Sequence, residues 1–557
     1  MRIKSNTLFQ WSFVIIALII LIPFLVMPLL GIVERALFPG GKWMPQLLAN
    51  VCMSPAMWSA IANSTVIALM AVVFSTVLAM PLAVINAKCT YPLKRLLSGV
   101  TLLPLILPPF VGAVGIMRVF GRYGIVNALF GTAPYDWLIE GGMAGVAFVQ
   151  ALHLYPILYL NITAALANAD SQLLEAAAVA GAGKRRRFLD ITLPLAMPGI
   201  AAGAVVVFLW SFTDVGTPLI MGFRDVIASE IFDRTTSVNN DPTGSALVLF
   251  VLLITVALML PARRYLQGDS SGSGSKGLRG TAEISVSKRG ALFAIYGGYA
   301  VLAVLTLLPH AALIVTAFAG DWFMTALPTE YTTKFFGELM TESGVMSSVR
   351  NSLFYSGASA TLDIVIGFGL AYAVSRKKLP FAGLWDALVM LPLVLPGLVL
   401  AFGYLAAFSG TPLDPLKNPV PLLIAGYTIR RLPFVFRSSY ASLQQVGPSY
   451  EEAARVCGAG TVRSIWDVTL PLTAAGLIGG GILAFLFAML EVSESLILAA
   501  KESFYPITKQ LIMLMQKVPD GETVAAALGV LCMVGMAAGL ILASLLLGKQ
   551  MGRLFRM

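Results

Sequence analysis

Runs of about twenty mainly apolar residues constrain this chain more than any other feature, because a backbone in hydrocarbon must pair all of its own polar groups, as a helix or a closed barrel. Twelve such runs occur, at approximately 11–33, 59–86, 96–119, 143–166, 196–221, 244–262, 291–319, 351–375, 384–408, 420–440, 473–499 and 523–547. The pattern predicts an all-α polytopic membrane protein. Only 12% of the residues are charged and the mean hydropathy is +0.84, where a soluble domain carries roughly a quarter charged residues. The first run is long and lacks a small-residue cleavage site, so it is expected to remain as a span.

Lys and Arg set the expected orientation, since cytoplasmic loops are enriched in them. With the N-terminus inside, the inner segments hold 23 of the 38. Both termini are therefore expected in the cytoplasm, and the formal charge of +10 reads as membrane orientation, with no nucleic-acid partner implied. Four cysteines without a CxxC or Cys/His cluster suggest no metal site.

The chain is written twice. EAAAVAGAGKRRRFLDITLPL at 175–195 returns as EAARVCGAGTVRSIWDVTLPL at 452–472 without a gap, and 13 of 21 positions are identical. The same shift of 277 aligns Pro156 with Pro433 and Phe208-Leu209 with Phe485-Leu486; a shift of 288 aligns Asn63-Ser64 with Asn351-Ser352 and LPLILP at 103–108 with LPLVLP at 391–396. Six spans per half return the chain to its starting side, so the halves are expected to be parallel repeats. They comprise residues 1–266 and 291–557, joined by a Gly/Ser-rich cytoplasmic tether at 267–290.

The repeated loop predicts a short helix, a glycine turn at Gly181 or Gly458, and a second surface helix before a span that begins near Pro194. Small residues beside a glycine turn, with an acidic residue to set register, suit a helix seated in another protein's groove. The loop is no phosphate cradle: Ala178 stands where the first glycine is required, and Lys184 is followed by Arg.

Glu-Ala-Ala, a glycine six residues after the Glu, and Leu-Pro beyond resemble the EAA loop of permease subunits in binding-protein-dependent ABC importers. The six-span halves and the Asn-Ser and LPL-x-LP landmarks extend that resemblance over nearly the whole chain. It implies a type I importer permease fold in a bacterial inner membrane. It further implies that Glu175, Ala176, Ala177 and Gly181, with Glu452, Ala453, Ala454 and Gly458, couple to an ATPase. That ATPase would be a separate homodimer carrying ATP and Mg, this chain binding no cofactor and catalysing nothing itself. An external solute-binding protein would deliver the cargo. Among double permeases of this size the ferric-iron class is nearest. Thiamine, polyamine, 2-aminoethylphosphonate and other anionic cargoes remain alternatives, as does an ion-coupled secondary transporter.

Ionisable residues at membrane depth are costly and point to function. Asp214 aligns with Glu491 in the fifth span of each half, Glu494 should share a helical face with Glu491, and His153 aligns with Arg430 beside Arg431. These six are candidates to line a translocation path or to pair with one another. Asp363, opposite Ser75 in the repeat, is expected to make a local structural bond.

Overall fold

The computed structural model describes residues 15, 17–106, 109–131, 135, 142–167, 172–236, 242–268, 284–377, 382–517 and 521–547. Most of the expected tether, 269–283, and both extreme termini lie outside the described residues.

In the first half, α1 is Ala17–Leu37, α2 Pro55–Lys88, α3 Lys94–Ile106, α4 Pro109–Phe120, α5 Met143–Ala167, α6 Gln172–Val179, α7 Lys184–Thr213, α8 Ile227–Thr236 and α9 Pro242–Gly268. In the second, α10 is Arg289–Ala317, α11 Val345–Lys377, α12 Ala382–Val394, α13 Gly397–Phe408, α14 Val420–Gln445, α15 Ser449–Val456, α16 Thr461–Met489, α17 Ile507–Met515 and α18 Gly521–Leu547. The order repeats element by element. Two short ladders interrupt the helices: Cys89–Thr90 pairs in parallel with Ile284–Ser285, and Ala319–Asp321 pairs antiparallel with Glu330–Tyr331.

Eight helices among the described residues are long and apolar enough to cross a membrane. The remaining expected spans differ for physical reasons. The runs 96–119 and 384–408 are each two helices: α3 with α4, whose first residue is Pro109, and α12 with α13, which meet at Leu395-Pro396; a proline lacks the N–H that would continue the ladder. α14 is 26 residues long but carries Arg430, Arg431 and Arg437, and only Thr243–Ala257 of α9 counts as a shorter apolar helix.

The expected second surface helix is not a separate element: α7 and α16 each start three residues past the glycine turn and continue unbroken into the apolar span, with Pro194 and Pro471 inside them. Each helix loosens to a π-turn just before its proline, over Phe188–Thr192 and Ile465–Thr469. A wider turn lets a helix absorb a residue that cannot donate.

The halves are crossed at their first spans. α1 packs on α13 of the second half, and α10 packs on α4 of the first. At the two crossings Gly403 lies against Pro28 and Gly115 against Pro309, so close that a Cβ on either glycine would collide with the proline backbone. Gly115 and Gly403 are related by the shift of 288. The reciprocal contact is that of an isologous interface, with the two-fold axis between the halves.

The Asn-Ser landmarks also gain a purpose. Ser64 Oγ accepts the N–H of Ile227 at 3.0 Å, and Ser352 Oγ accepts that of Ile507 at 2.7 Å, so each caps the first amide of α8 or α17. Asn63 donates to the Asp225 carbonyl at 2.9 Å, and Asn351 to the carbonyls of Ser503 and Tyr505 at 2.9 and 3.2 Å.

Candidate functional site

A cavity of about 160 Å³ lies between the halves. Five pairs related by the shift of 277 border it with both members: Trp210 and Phe487, Asp214 and Glu491, His153 and Arg430, Leu154 and Arg431, Thr213 and Leu490. A space lined by equivalent residues of both halves straddles the axis that relates them. Trp210 and Phe487 meet edge to face, with ring centroids 6.0 Å apart, and Phe434 stacks on Phe487 at 5.0 Å. Those aromatics carried no signal in a search for charges, although the repeat alignment itself matches Trp210 to Phe487.

The five ionisable candidates Asp214, Glu491, Arg430, Arg431 and His153 thus reach one cavity wall, and Glu494 lies just behind it. The helix of the fifth span breaks at each carboxylate. α7 ends at Thr213 and a short helix begins at Gly216; α16 ends at Met489 and another begins at Ser493. The expectation that Glu491 and Glu494 share a helical face is therefore corrected: Glu491 stands in the break and Glu494 in the short helix. Breaking there exposes backbone N–H groups that a carboxylate can accept. Asp214 takes the N–H groups of Gly216 at 2.9 Å and Thr217 at 3.4 Å, and Glu491 that of Glu494 at 3.4 Å.

Beyond this shared motif the halves diverge. Asp214 is completed by Gln150 Nε2 at 3.0 Å. Glu491 accepts from Arg430 Nη1 at 2.7 Å and from Arg431 Nη2, while Arg431 also donates to the Phe487 carbonyl at 2.8 Å. Arg430 reaches Glu494 at 3.5 Å, and Glu494 is fully buried with no other partner for its carboxylate oxygens among the described residues. Asp363 is also fully buried, and the side chains that bear on its carboxylate are Ser359, four residues away on the same helix, and the cation Arg431. Ser75, its repeat counterpart, donates weakly to the Ala151 carbonyl at 3.5 Å.

At the opposite ends of α7 and α16 stand the repeated loops. Gly181 has φ +80° and Gly458 φ +91°, a left-handed turn that only glycine adopts without strain. In both loops the amide two residues past the short helix closes the turn, Gly181 N to Ala178 O at 3.1 Å and Gly458 N to Arg455 O at 3.0 Å. Glu175 and Ala176 are exposed and Ala177 partly so, like Glu452, Ala453 and Ala454. Val179 is 90% exposed and Val456 88%, apolar side chains left outside in the same place twice. Two exposed ion pairs repeat as well, Arg186–Asp190 at 3.2 Å and Arg463–Asp467 at 3.1 Å.

Among the described residues, only the second loop is tied inward by a buried acid. Glu451 accepts from Tyr372 Oη and Arg376 Nε, each at 2.9 Å, and Arg376 also donates to the Val446 carbonyl at 2.7 Å. The first half has Leu174, Val84 and Lys88 at those positions, and Lys88 donates instead to Thr192 at 2.6 Å. Glu451 was missed because the neighbouring Glu452 carries the motif.

The family model described as the binding-protein-dependent transport system inner membrane component matches residues 79–266 and again 363–555. The chain belongs to that family, as a fused double permease of a transport system in the inner membrane. It is 25% identical over 529 residues to the ferric transport system permease protein of Actinobacillus pleuropneumoniae, covering 92% of this chain and 75% of that one. A protein assigned to ferric transport in Haemophilus influenzae is also 25% identical, over 86% of this chain and 76% of its own. The molybdenum transport system permease protein of Escherichia coli is 31% identical over 36% of this chain and 89% of its own length, the size of one half.

Proposed function

We propose that this chain forms the whole translocation path of an ATP-driven importer of ferric iron, coupled through its two repeated loops to a separate ATPase homodimer. The observation that carries the coupling is geometric. Each loop presents an exposed acid, two small residues and a bare valine, then passes through one continuous helix to the central cavity. From Lys184 to Trp210 that helix spans about 40 Å at 1.5 Å per residue. A push on the loop therefore reaches Trp210 and Asp214 directly, and the same holds from Thr461 to Phe487 and Glu491.

Glu175, Ala176, Ala177 and Gly181, with Glu452, Ala453, Ala454 and Gly458, seat in clefts of the ATPase on the cytoplasmic side, where both termini also lie. ATP and Mg act in that partner; this chain holds neither. A periplasmic or extracellular solute-binding protein delivers cargo to the other face, and lipid surrounds the exposed apolar helices. The Trp210–Phe487 ring pair closes the path on the axis, as an apolar constriction that excludes water. Closure of the ATPase dimer draws the loops together and parts these rings.

Ferric iron as cargo is supported by the two double-length relatives. An oxyanion such as a phosphonate is less well served, because Arg430 and Arg431 are already held by Glu491 and would have to exchange it. The test is purification with the candidate ATPase and binding protein, followed by metal analysis of the binding protein and ATP-driven uptake into proteoliposomes. Replacing Glu175 and Glu452 together by Ala should abolish uptake with the folded chain intact. Undiminished uptake in that variant, or no association with an ATPase, would overturn the coupling; a binding protein that retains no iron would overturn the cargo.

A further inference from the structure

The chain has two histidines, and both border one small cavity of about 20 Å³ at the junction of the halves. His310 comes from α10 with Thr306 and Pro309; His153, Pro104 and Gly112 come from the first half. His153 borders the central cavity as well.

The ring atoms are unequally served. His310 Nδ1 lies 3.1 Å from the Thr306 carbonyl. A carbonyl can only accept, so Nδ1 carries the proton and Nε2 presents a lone pair in the neutral ring. Nε2 is buried and has no hydrogen-bond partner among the described residues. The Pro104 backbone bears on the His153 ring, whose neutral form carries a proton on one nitrogen and a lone pair on the second. One buried acceptor, His310 Nε2, and the ring of His153 therefore border one space. Leaving such groups unpaired is costly, and a cavity above roughly 10–15 Å³ with polar walls holds a water.

We infer that this cavity binds one ordered water, which donates one O–H to His310 Nε2 and the other to the second ring nitrogen of His153. The two donors of a water match the two lone pairs. A divalent cation matches them less well, since two neutral nitrogens would leave its charge uncompensated at membrane depth. The water joins α10 of the second half to α5 of the first, beside the Gly115–Pro309 crossing. It also answers a question posed by the repeat. Arg430 is held by carboxylates of its own half, whereas its counterpart His153 is held through water by a residue of the other half. His153 is on this reading a positioning residue, its ring fixed where it borders the central cavity.

The test uses the full chain in lipid nanodiscs and needs neither ATP nor cargo. A map at a resolution that shows ordered solvent should contain a single density within about 2.7–3.2 Å of His310 Nε2; an empty cavity overturns the proposal. Metal analysis of the same sample should find no stoichiometric transition metal, and an equimolar metal overturns it too. Thermal unfolding midpoints provide the second arm. His153→Phe and His310→Phe should each lower the midpoint, the double variant should fall no further than the worse single, and His310→Gln, which keeps an acceptor, should recover most of the loss. Fully additive losses would mean that no shared ligand joins the two rings. If a variant fails to fold, the density in the unaltered chain decides.

Discussion

Asp214 and Glu491 occupy equivalent places, in the same helix break, on the same cavity, yet they are held by different means. Asp214 rests on two backbone amides and Gln150; Glu491 rests on one amide and two guanidinium groups, with Glu494 and Asp363 close behind. The first half fills the corresponding positions with His153, Leu154, Thr217 and Ser75. Duplication has kept the backbone device, a carboxylate that caps the helix after a break, and concentrated the charge in one copy. A buried charge network of this kind is weak as a source of net stability but severe when one member is removed. The second half is therefore the one that a single substitution should damage most.

The largest effect should come from Glu491→Gln, which removes the carboxylate that Arg430 and the buried Arg431 share and should cost about 3–5 kcal/mol of stability, seen as a large fall in the unfolding midpoint of the purified chain. Asp214→Asn keeps an acceptor for the Gly216 amide and should cost about 1 kcal/mol. Equal losses would break the distinction between the halves. Next, Glu451→Ala leaves Arg376 buried without its carboxylate and should cost about 3 kcal/mol, whereas Lys88→Met removes one hydrogen bond to Thr192 and should cost about 1 kcal/mol. Proteolysis or hydrogen exchange confined to the second loop in the Glu451 variant would sharpen the view that this loop alone is strapped to its scaffold.

The crossings offer the opposite test, because there the halves are alike. Gly115→Ala and Gly403→Ala each force a methyl against a proline backbone and should cost at least about 1–3 kcal/mol apiece, with Gly115→Ala the worse because its overlap with the Pro309 carbonyl is the deeper. An unchanged unfolding midpoint in either variant would show that the crossing is not packed in that half as it is in the other. The smallest effect belongs to the exposed ion pairs. Arg186→Ala and Arg463→Ala should each change stability by less than about 0.5 kcal/mol, since side chains 60–79% exposed gain little from pairing in water.

Much of this was legible from residues alone. The gapless return of the 21-residue loop named the duplication, its glycines marked the left-handed turns, and the shift that aligned Asp214 with Glu491 brought the cavity carboxylates into view. What misled was periodicity across a break. A uniformly apolar stretch shows no boundary at Thr213 or Met489, so Glu494 was placed on the same helical face as Glu491, and the runs 96–119 and 384–408 were each read as one span. Arg376 and Glu451 stayed hidden because 75 residues separate them, and no local pattern pairs a helix end with a distant loop.

Hydrophobic runs, a repeated string and the bias of Lys and Arg determined by themselves that the chain is a duplicated bundle of membrane helices with a matched pair of loops, because each of those properties is written in spacing and composition. Only the tertiary structure decided that the first spans cross between halves, that Trp210 meets Phe487 on the axis, and that the two histidines border one cavity. Those facts depend on which helix faces pack together, and packing is settled by contacts between residues hundreds of positions apart.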